Sequence, residues 1–275
     1  VELRDWIGRT QAAEDVIRAW PARALAAALD WERGEFADGD ALPPLWHWMY
    51  FLEAPRASEL GPDGHARRGG FLPPVALPRR MWAGGRFVFE EGLRIGEAAE
   101  RVSRIEDVRE KQGRSGPLVF VVVRHEVRTA RGLALSEEHD IVYRGLEQAG
   151  APARAQEPFG EAAWSQTVRP DAVLLFRYSA LTFNGHRIHY DQQYCVEQEG
   201  YPGLVVHGPL LATLLLELLR RQAPEAAIRT FEFRAVGPAF AGEAVRLSGA
   251  REGAGVRLWA EAEGRLAMTA VAGLA

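Results

Sequence analysis

The stretch LVVHGPLLATLLLELL, residues 204–219, constrains the fold more than any other part of the chain. Pro209 suits the first position of a helix, where its missing N–H would have no partner anyway. The leucines at 210, 211, 214, 215, 216, 218 and 219 then leave almost no polar face. A helix apolar nearly all round must be buried nearly all round. The run is too short to span a bilayer comfortably, and His207, Pro209 and Glu217 interrupt it, so it reads as a core helix. A sheet wrapped around the helix would bury it.

The rest of the chain supplies the sheet. Strand-like runs occur at 86–89 (RFVF), 98–108, 118–128 (LVFVVVRHEVR) and 138–143, and four more follow near 228–236, 243–249, 255–262 and 266–273. An internal repeat lies in this order. RFVFEEGLRIGEA (86–98) has the layout of TFEFRAVGPAFAGEA (230–244). Each has a Phe-x-Phe strand, an apolar bridge, then Gly-Glu-Ala opening another strand. Gly96-Glu97-Ala98 and Gly242-Glu243-Ala244 are the anchors, and the strand order after each is the same, which points to duplication. The expected fold is α+β: a double hotdog of two curved antiparallel sheets, each wrapping a central helix. The expected division is an N-terminal hotdog with long loops over 1–145, a linker over 146–170 and a C-terminal hotdog over 171–275.

Other segments read as follows. QAAEDVIRAWPARALAAALDW is alanine-rich with a helical period, broken by Pro21. PPLWHWMYF and GPDGHARRGGFLPPVALPRRMWAGG are long Pro- and Gly-rich loops, of the kind that often carry function. VLLFRYSAL reads as a further strand, and a short helix is expected near 192–199. The net charge of -4 and the lack of a basic stripe argue against a nucleic-acid partner. Cys195 is the single cysteine, so no internal disulfide or C-x-x-C zinc pair exists. The single cysteine fits a reducing cytoplasm, the N-terminus VELRDWIGRT has no apolar h-region, so no signal peptide is expected, and no membrane partner is expected.

The chemistry gathers in TFNGHRIHYD, residues 182–191. His189 is a candidate general base, since neutral histidine is the usual proton acceptor near pH 7. Asn184 can donate from its amide to a carbonyl or orient a water. Asp191 precedes a helical run and is read as its N-cap. His186 and His189 could pair on a metal, but no downstream carboxylate or histidine completes a set, so no metal is expected. The helix start at Gly208-Pro209 presents N–H groups at a positive dipole end, with Gly208 and Leu210 as the donors toward a carbonyl gaining charge. An ordinary helix start would look the same. His207 is read as structural, facing either the core or an acyl pocket, and His125 and His139 as residues of strands.

SALTFNGHRIHYD together with GLVVHGPLLA resembles the hydratase hotdog family, the MaoC-like or (R)-specific enoyl-thioester hydratases and dehydratases. The family motif is Gly-Asp-x-Asn-Pro-x-His, followed about twenty residues later by a His-Gly helix start. The motif histidine falls on His189 and the helix glycine on Gly208. The motif aspartate, asparagine and proline fall on Asn184, His186 and Arg187, which are departures. They match a branch that reads Asn-Gly-His-Arg-Ile-His-Tyr-Asp. With the N-terminal loops PPLWHWMYF, ELGPDGHARRGGFLPP and LPRRMWAGG, the chain is most similar to the mesaconyl-C4-CoA (3-methylfumaryl-CoA) and itaconyl-CoA hydratase branch.

The resemblance implies a double hotdog whose N-terminal unit is degenerate and whose C-terminal unit is catalytic, and reversible addition of water across a double bond conjugated to a CoA thioester, with no cofactor. His189 would be the base, and Gly208 N–H would hold the thioester oxygen. Asn184 would stand where the family has an acid, and an amide is neither acid nor base near neutral pH. Then either His189 makes both proton transfers, or Asn184 positions water while another group helps. Arginines would hold the phosphates of CoA and a second carboxylate, the candidates being Arg79, Arg80, Arg187 and Arg234. A fatty-acid-type 3-hydroxyacyl-thioester dehydratase, a hotdog thioesterase and a non-catalytic acyl-CoA-binding module are the alternatives. A homodimer is compatible with such a fold.

Overall fold

The computed structural model describes residues 2–32, 34–113, 116–145 and 159–275. The chain divides into two compact units. The first comprises residues 1–81, 87–145 and 177–186; the second comprises 82–86, the described part of 146–176, and 187–275.

In the first unit, strands β1 (Thr10–Val16), β2 (Arg79–Phe89), β3 (Ala98–Gly113), β4 (Gly116–Thr129) and β5 (Gly132–Arg144) run in the order β1-β3-β4-β5-β2. The pairs β1–β3, β3–β4 and β4–β5 are antiparallel. Along β4 the period of two is plain: Val119, Val121, Val123 and Val127 are buried and their neighbours are less so. Val119, Val121 and Val123 join Ile105, Val108 and Tyr143 in a core closed by Trp6, Val75 and the loop residues Phe71, Leu72 and Leu77.

The second unit orders its strands β7 (Ile228–Ala235), β10 (Arg265–Leu274), β9 (Gly255–Ala262), β8 (Val245–Glu252) and β6 (Trp164–Val168), each antiparallel to its neighbour. The leucine-rich helix, here α4 (Gly208–Gln222), packs against β6, β8, β9 and β10. Every residue from Leu210 to Leu219 is buried. Each leucine so buried stabilises the fold by roughly 1.5–3 kcal/mol relative to exposure. Thr213 and Glu217 are the polar exceptions: Thr213 donates to Pro209 O at 2.9 Å, and Arg220 donates to Glu217 at 2.7 Å.

The sequence repeat is a repeated structural device. Gly96 and Gly242 both adopt positive φ (89° and 85°), which glycine does without strain. Each following glutamate folds back on the backbone: Glu97 accepts from Arg94 N–H at 3.0 Å, and Glu243 from Phe240 N–H at 2.9 Å. An arginine from the next hairpin pairs with each, Arg131 with Glu97 and Arg265 with Glu243. Ala134 on β5 and Ala267 on β10 accept the same bonds from the bridge.

Four expectations give way. VLLFRYSAL is a helix, α2 (Ala172–Leu181), not a strand. Asp171 accepts from Leu174 N–H at 2.8 Å and caps it, and Leu175, Tyr178 and Ser179 are buried at helical spacing while Val173 and Phe176 are 63% and 64% exposed. The alanine-rich segment splits into strand β1, paired with β3, and helix α1 (Ala19–Ala28). Pro21 does not break that helix, because it sits in the first turn where no N–H is needed. Of the segment read as a linker, residues 146–158 lie outside the described residues, and 164–168 form edge strand β6 on β8. The loop LPRRMWAGG is also shorter than read, since β2 begins at Arg79.

Candidate active site

The stretch 182–191 is built from two turns. In the first, Asn184 N–H donates to Ser179 O at 2.8 Å, and Asn184 Oδ1 accepts from His186 N–H at 3.0 Å. This is an Asx turn, and it spends the oxygen of Asn184 on local backbone. A Cβ on Gly185 would lie 2.8 Å from the carbonyl oxygen of Gly64, so the turn fits against the loop 61–65 only as glycine. His186 meets that loop too: its ring lies 4.2 Å from that of His65, whose Nδ1 lies 3.1 Å from Asp63 Oδ2. Burial pushes the Asp63 carboxyl up, but the hydrogen bonds and charge of His65, with the charge of His186, outweigh it and hold it well below the usual range. Burial is the main cause holding His65 below the ordinary histidine value.

The second turn is the 3-10 turn Arg187–His189, followed by α3 (Gln192–Glu197). Asp191 caps α3 by accepting from Tyr194 N–H at 3.0 Å. Arg187 locks this arrangement. Its Nε and Nη2 both donate to Asp191 Oδ2, at 3.0 and 2.8 Å, and its guanidinium lies 4.0 Å over the Tyr194 ring. The Tyr194 N–H and Arg187 hold the Asp191 carboxyl below its ordinary value.

His189 is 7% exposed, and its Nδ1 lies 2.7 Å from the carbonyl oxygen of Val205. A carbonyl only accepts, so the proton sits on Nδ1 and Nε2 is left with the lone pair. Val205 is itself fixed, donating to Ile188 O at 2.9 Å and bridging Phe240. Against the ring lies His207, 1% exposed, with centroids 3.6 Å apart and planes inclined by 18°. His207 is the N-cap residue of α4, and Gly208 opens the helix. A Cβ on Gly208 would meet only Trp82 O at 3.9 Å, an ordinary contact. Packing does not require glycine there, whereas close approach of a ligand to the N–H would.

Of the arginines named from sequence, Arg79 is buried at the start of β2, and Arg80 bonds Tyr143 and bears on His65 electrostatically. Arg234 is exposed on β7, where with Phe159, Val236, Leu266 and Thr269 it lines a cavity of about 490 Å³. Sequence reasoning did not find two groupings. The stacking of His207 on His189 joins residues about twenty positions apart. The other is wholly buried Glu137, whose Oε2 accepts from His47, Trp48 and His139, each at 3.1 Å. Burial pushes the Glu137 carboxyl up, but the charges and hydrogen bonds of His139 and His47 outweigh this and hold it well below its ordinary value. Among the described residues, Asp63, His65 and His186, and likewise His125, Glu137 and His139, bring potential metal-ligand atoms within 4.8 Å of one another. Arg68 and Arg80 bear on the first group and Arg101 on the second, a setting that opposes a further cation. No helix among the described residues is long and apolar enough to cross a membrane.

The family model for hydroxyacyl-thioester dehydratase type 2 matches residues 45–241, most of the chain. The chain belongs to that family. Mesaconyl-C(4)-CoA hydratase of Chloroflexus aurantiacus is 49% identical over 239 residues, covering 86% of this chain and 84% of that one. Among solved structures, a MaoC-like dehydratase superposes with a TM-score of 0.76 at 13% identity, covering all of both chains. A Mycobacterium tuberculosis protein with a double hotdog fold gives 0.62 at 14%, covering 98% of this chain and 96% of that one. The fold is thus the double hotdog, and the enzyme class is the hydro-lyases acting on unsaturated acyl thioesters.

Proposed function

We propose that the protein adds water to the double bond of mesaconyl-C4-CoA or a closely similar branched dicarboxylic enoyl-CoA. The observation that carries the chemistry is the fixed tautomer of His189, whose Nδ1 proton is held by Val205 so that Nε2 is the acceptor. Nε2 takes a proton from water, and the hydroxide oxygen bonds the β-carbon. The π electrons move to the α-carbon and the thioester oxygen, and His189 returns the proton to the α-carbon. The net change is one water added, and the base is restored. The N–H groups of Gly208 and Leu210 lie ahead of the first bond inside α4, from Leu211 N–H to His207 O, and would meet the thioester oxygen as charge builds on it. Asn184 takes no proton in this scheme; its oxygen serves the turn that carries the histidines.

The choice of acyl group rests on the 49% identical Chloroflexus hydratase. Arg80 and Arg234 are the proposed contacts for the distal carboxylate and the CoA phosphates, and buried Arg79 is proposed to support Arg80. Arg187, committed to Asp191, is proposed to act on substrate only by fixing the turn. Cytoplasmic location and homodimer formation stand as further proposals. Burial raises the thiol of Cys195 to about 11, so acyl transfer to a thiolate at that position is disfavoured.

Incubation with mesaconyl-C4-CoA, crotonyl-CoA and acetyl-CoA tests the reading. Water addition to mesaconyl-C4-CoA without release of free CoA is expected. Preference for crotonyl-CoA would move the assignment to the fatty-acid type, release of free CoA would make the protein a thioesterase, and no turnover would make it a binding module.

A further inference from the structure

We infer that His65 and Arg80 form an anion subsite for the free carboxylate of a dicarboxylic acyl group, with His65 as the residue that tells such a substrate from a plain enoyl-CoA. The assignment deepens the proposed function and rests on it. The loop around residues 60–66 is shaped to hold one histidine. Gly61 N–H donates to His65 O at 2.7 Å, and Leu60 bridges Ala66. Asp63 accepts from the backbone N–H and from the ring Nδ1 of His65, each at 3.1 Å. Nδ1 therefore carries a proton, and Nε2, which bonds nothing among the described residues, is left for a ligand.

The charges around it favour an anion. Arg68 directs its guanidinium to neutral carbonyls, those of Val75 and Pro78 at 2.5 Å and that of Leu77, and lies 5.3 Å over the Tyr143 ring. Arg80 bonds the Tyr143 phenol, which is neutral as well. Among the described residues no carboxylate pairs with either guanidinium, and the acid of the cluster, Asp63, is engaged by His65. Burial, with the charges of Arg80 and Arg68, outweighs the pull of Asp63 and holds the His65 imidazole below its ordinary value. A field that refuses a proton attracts a carboxylate, which arginine and imidazolium meet through charge-assisted bonds. As the carboxylate arrives, Nε2 takes a proton from solvent and donates it in a hydrogen bond. His65 then joins two carboxylates, Asp63 through Nδ1 and the ligand through Nε2.

The place of the cluster in the chain selects the acyl carboxylate over the phosphates of CoA. The His65 ring lies 4.2 Å from that of His186, and Gly185 is seated against Gly64 O. His186 stands three residues before the base His189, one 3-10 turn or about 6 Å along the chain. That is the scale of a four-carbon acyl group, whereas the phosphates lie beyond the pantetheine arm.

The experiment compares succinyl-CoA with butyryl-CoA, which share a four-carbon chain, differ in the distal carboxylate and have no double bond to hydrate. Binding to the whole protein is measured by calorimetry at pH 7 in two buffers of different ionisation heat, which counts the protons taken up. Wild type is expected to bind succinyl-CoA about tenfold more tightly or better, the effect of one charge-assisted hydrogen bond, and to take up a proton with it but not with butyryl-CoA. His65→Gln offers an amide but takes no proton. It is expected to lose the uptake and about tenfold in succinyl-CoA affinity, with butyryl-CoA affinity unchanged. Arg80→Gln is expected to lose the same preference, and decides the matter if His65→Gln does not melt as wild type does. Equal affinity of wild type for the two esters overturns the subsite, and undiminished preference in His65→Gln removes His65 from it. Equal loss for both esters in the variants also overturns it, because the anion held would then be a phosphate of CoA. If wild type hydrates no enoyl-CoA, the proposed function falls, and the binding comparison still decides the subsite.

Discussion

His189 and two glycines carry the sharpest tests at the scale of single residues. Replacing His189 with Gln keeps a polar group but removes the proton acceptor, and kcat should fall by about 10²–10⁴-fold, the usual range for general base catalysis. Turnover at the wild-type rate would refute the assignment. Gly185 and Gly208 look alike in sequence and differ in structure. A methyl at Gly185 would strike the Gly64 carbonyl at 2.8 Å, so Gly185→Ala should cost about 1–3 kcal/mol in urea unfolding. A methyl at Gly208 meets nothing closer than 3.9 Å, and alanine favours helix, so Gly208→Ala should fold normally. Its hydration rate should nevertheless fall, because the methyl would keep a thioester oxygen off the N–H. Full activity in Gly208→Ala would mean that no ligand approaches there. As candidates, His189 and Gly208 could be named from sequence because each stands in a short local signal: a histidine in a polar turn, and Gly-Pro before leucines. The stacking of His207 on His189 and the pairing of His65 with His186 could not, because those residues are remote in sequence and only folding joins them.

Elements were legible where periodicity ran long. The strands β3, β4, β5 and β7–β10 run for eight residues or more, β4 with clear alternation, and α4 repeats leucine over about three turns, so each left a mark in the sequence. Short apolar runs failed. VLLFRYSAL has the length and composition of a buried strand, and only the cap Asp171 and the exposure of Val173 and Phe176 mark it as helix. Asp171→Ala should therefore cost about 1 kcal/mol of stability, while an equal change at a strand residue would show no capping loss. The strand β1 failed in the opposite sense: its Gln, Ala and Glu residues favour helix locally, and pairing with β3 overrides them. The helix α4 makes the largest demand on the second unit. Leu215 is wholly buried at its centre, and Leu215→Ala should cost about 2–5 kcal/mol in chemical denaturation. A loss below 1 kcal/mol would mean that the sheet closes over the gap.

Across the whole molecule, the two units keep one turn device and diverge in their interiors. The Glu97–Arg131 and Glu243–Arg265 pairs hold matching corners, but the second unit fills its sheet with α4 while the first places Glu137, His47, His139 and His125 inside. That choice gives the first unit an acid sensitivity whose sign is fixed. Burial, with the charge of neighbouring His139, holds His125 well below the ordinary value of 6.5. The unfolded chain therefore takes up a proton near pH 6.5 that the folded chain refuses. The stability contributed by neutral His125 is complete above that pH and is lost as the pH falls below it. His65, also lowered from 6.5 mainly by burial, acts in the same window with the same sign. Glu137 and Asp63, both held below their ordinary values of 4.5 and 3.8, add the same sign only at lower pH. Melting measured at pH values above and below 6.5, all above the carboxylate range, isolates the histidines. Wild type should melt lower on the acid side. His125→Gln, which can still bond Ser103 as the imidazole does at 2.7 Å, should lose less on acidification, with His65 supplying the remainder. An acid-side loss as large in His125→Gln as in wild type would show that the buried histidine is not the group being titrated.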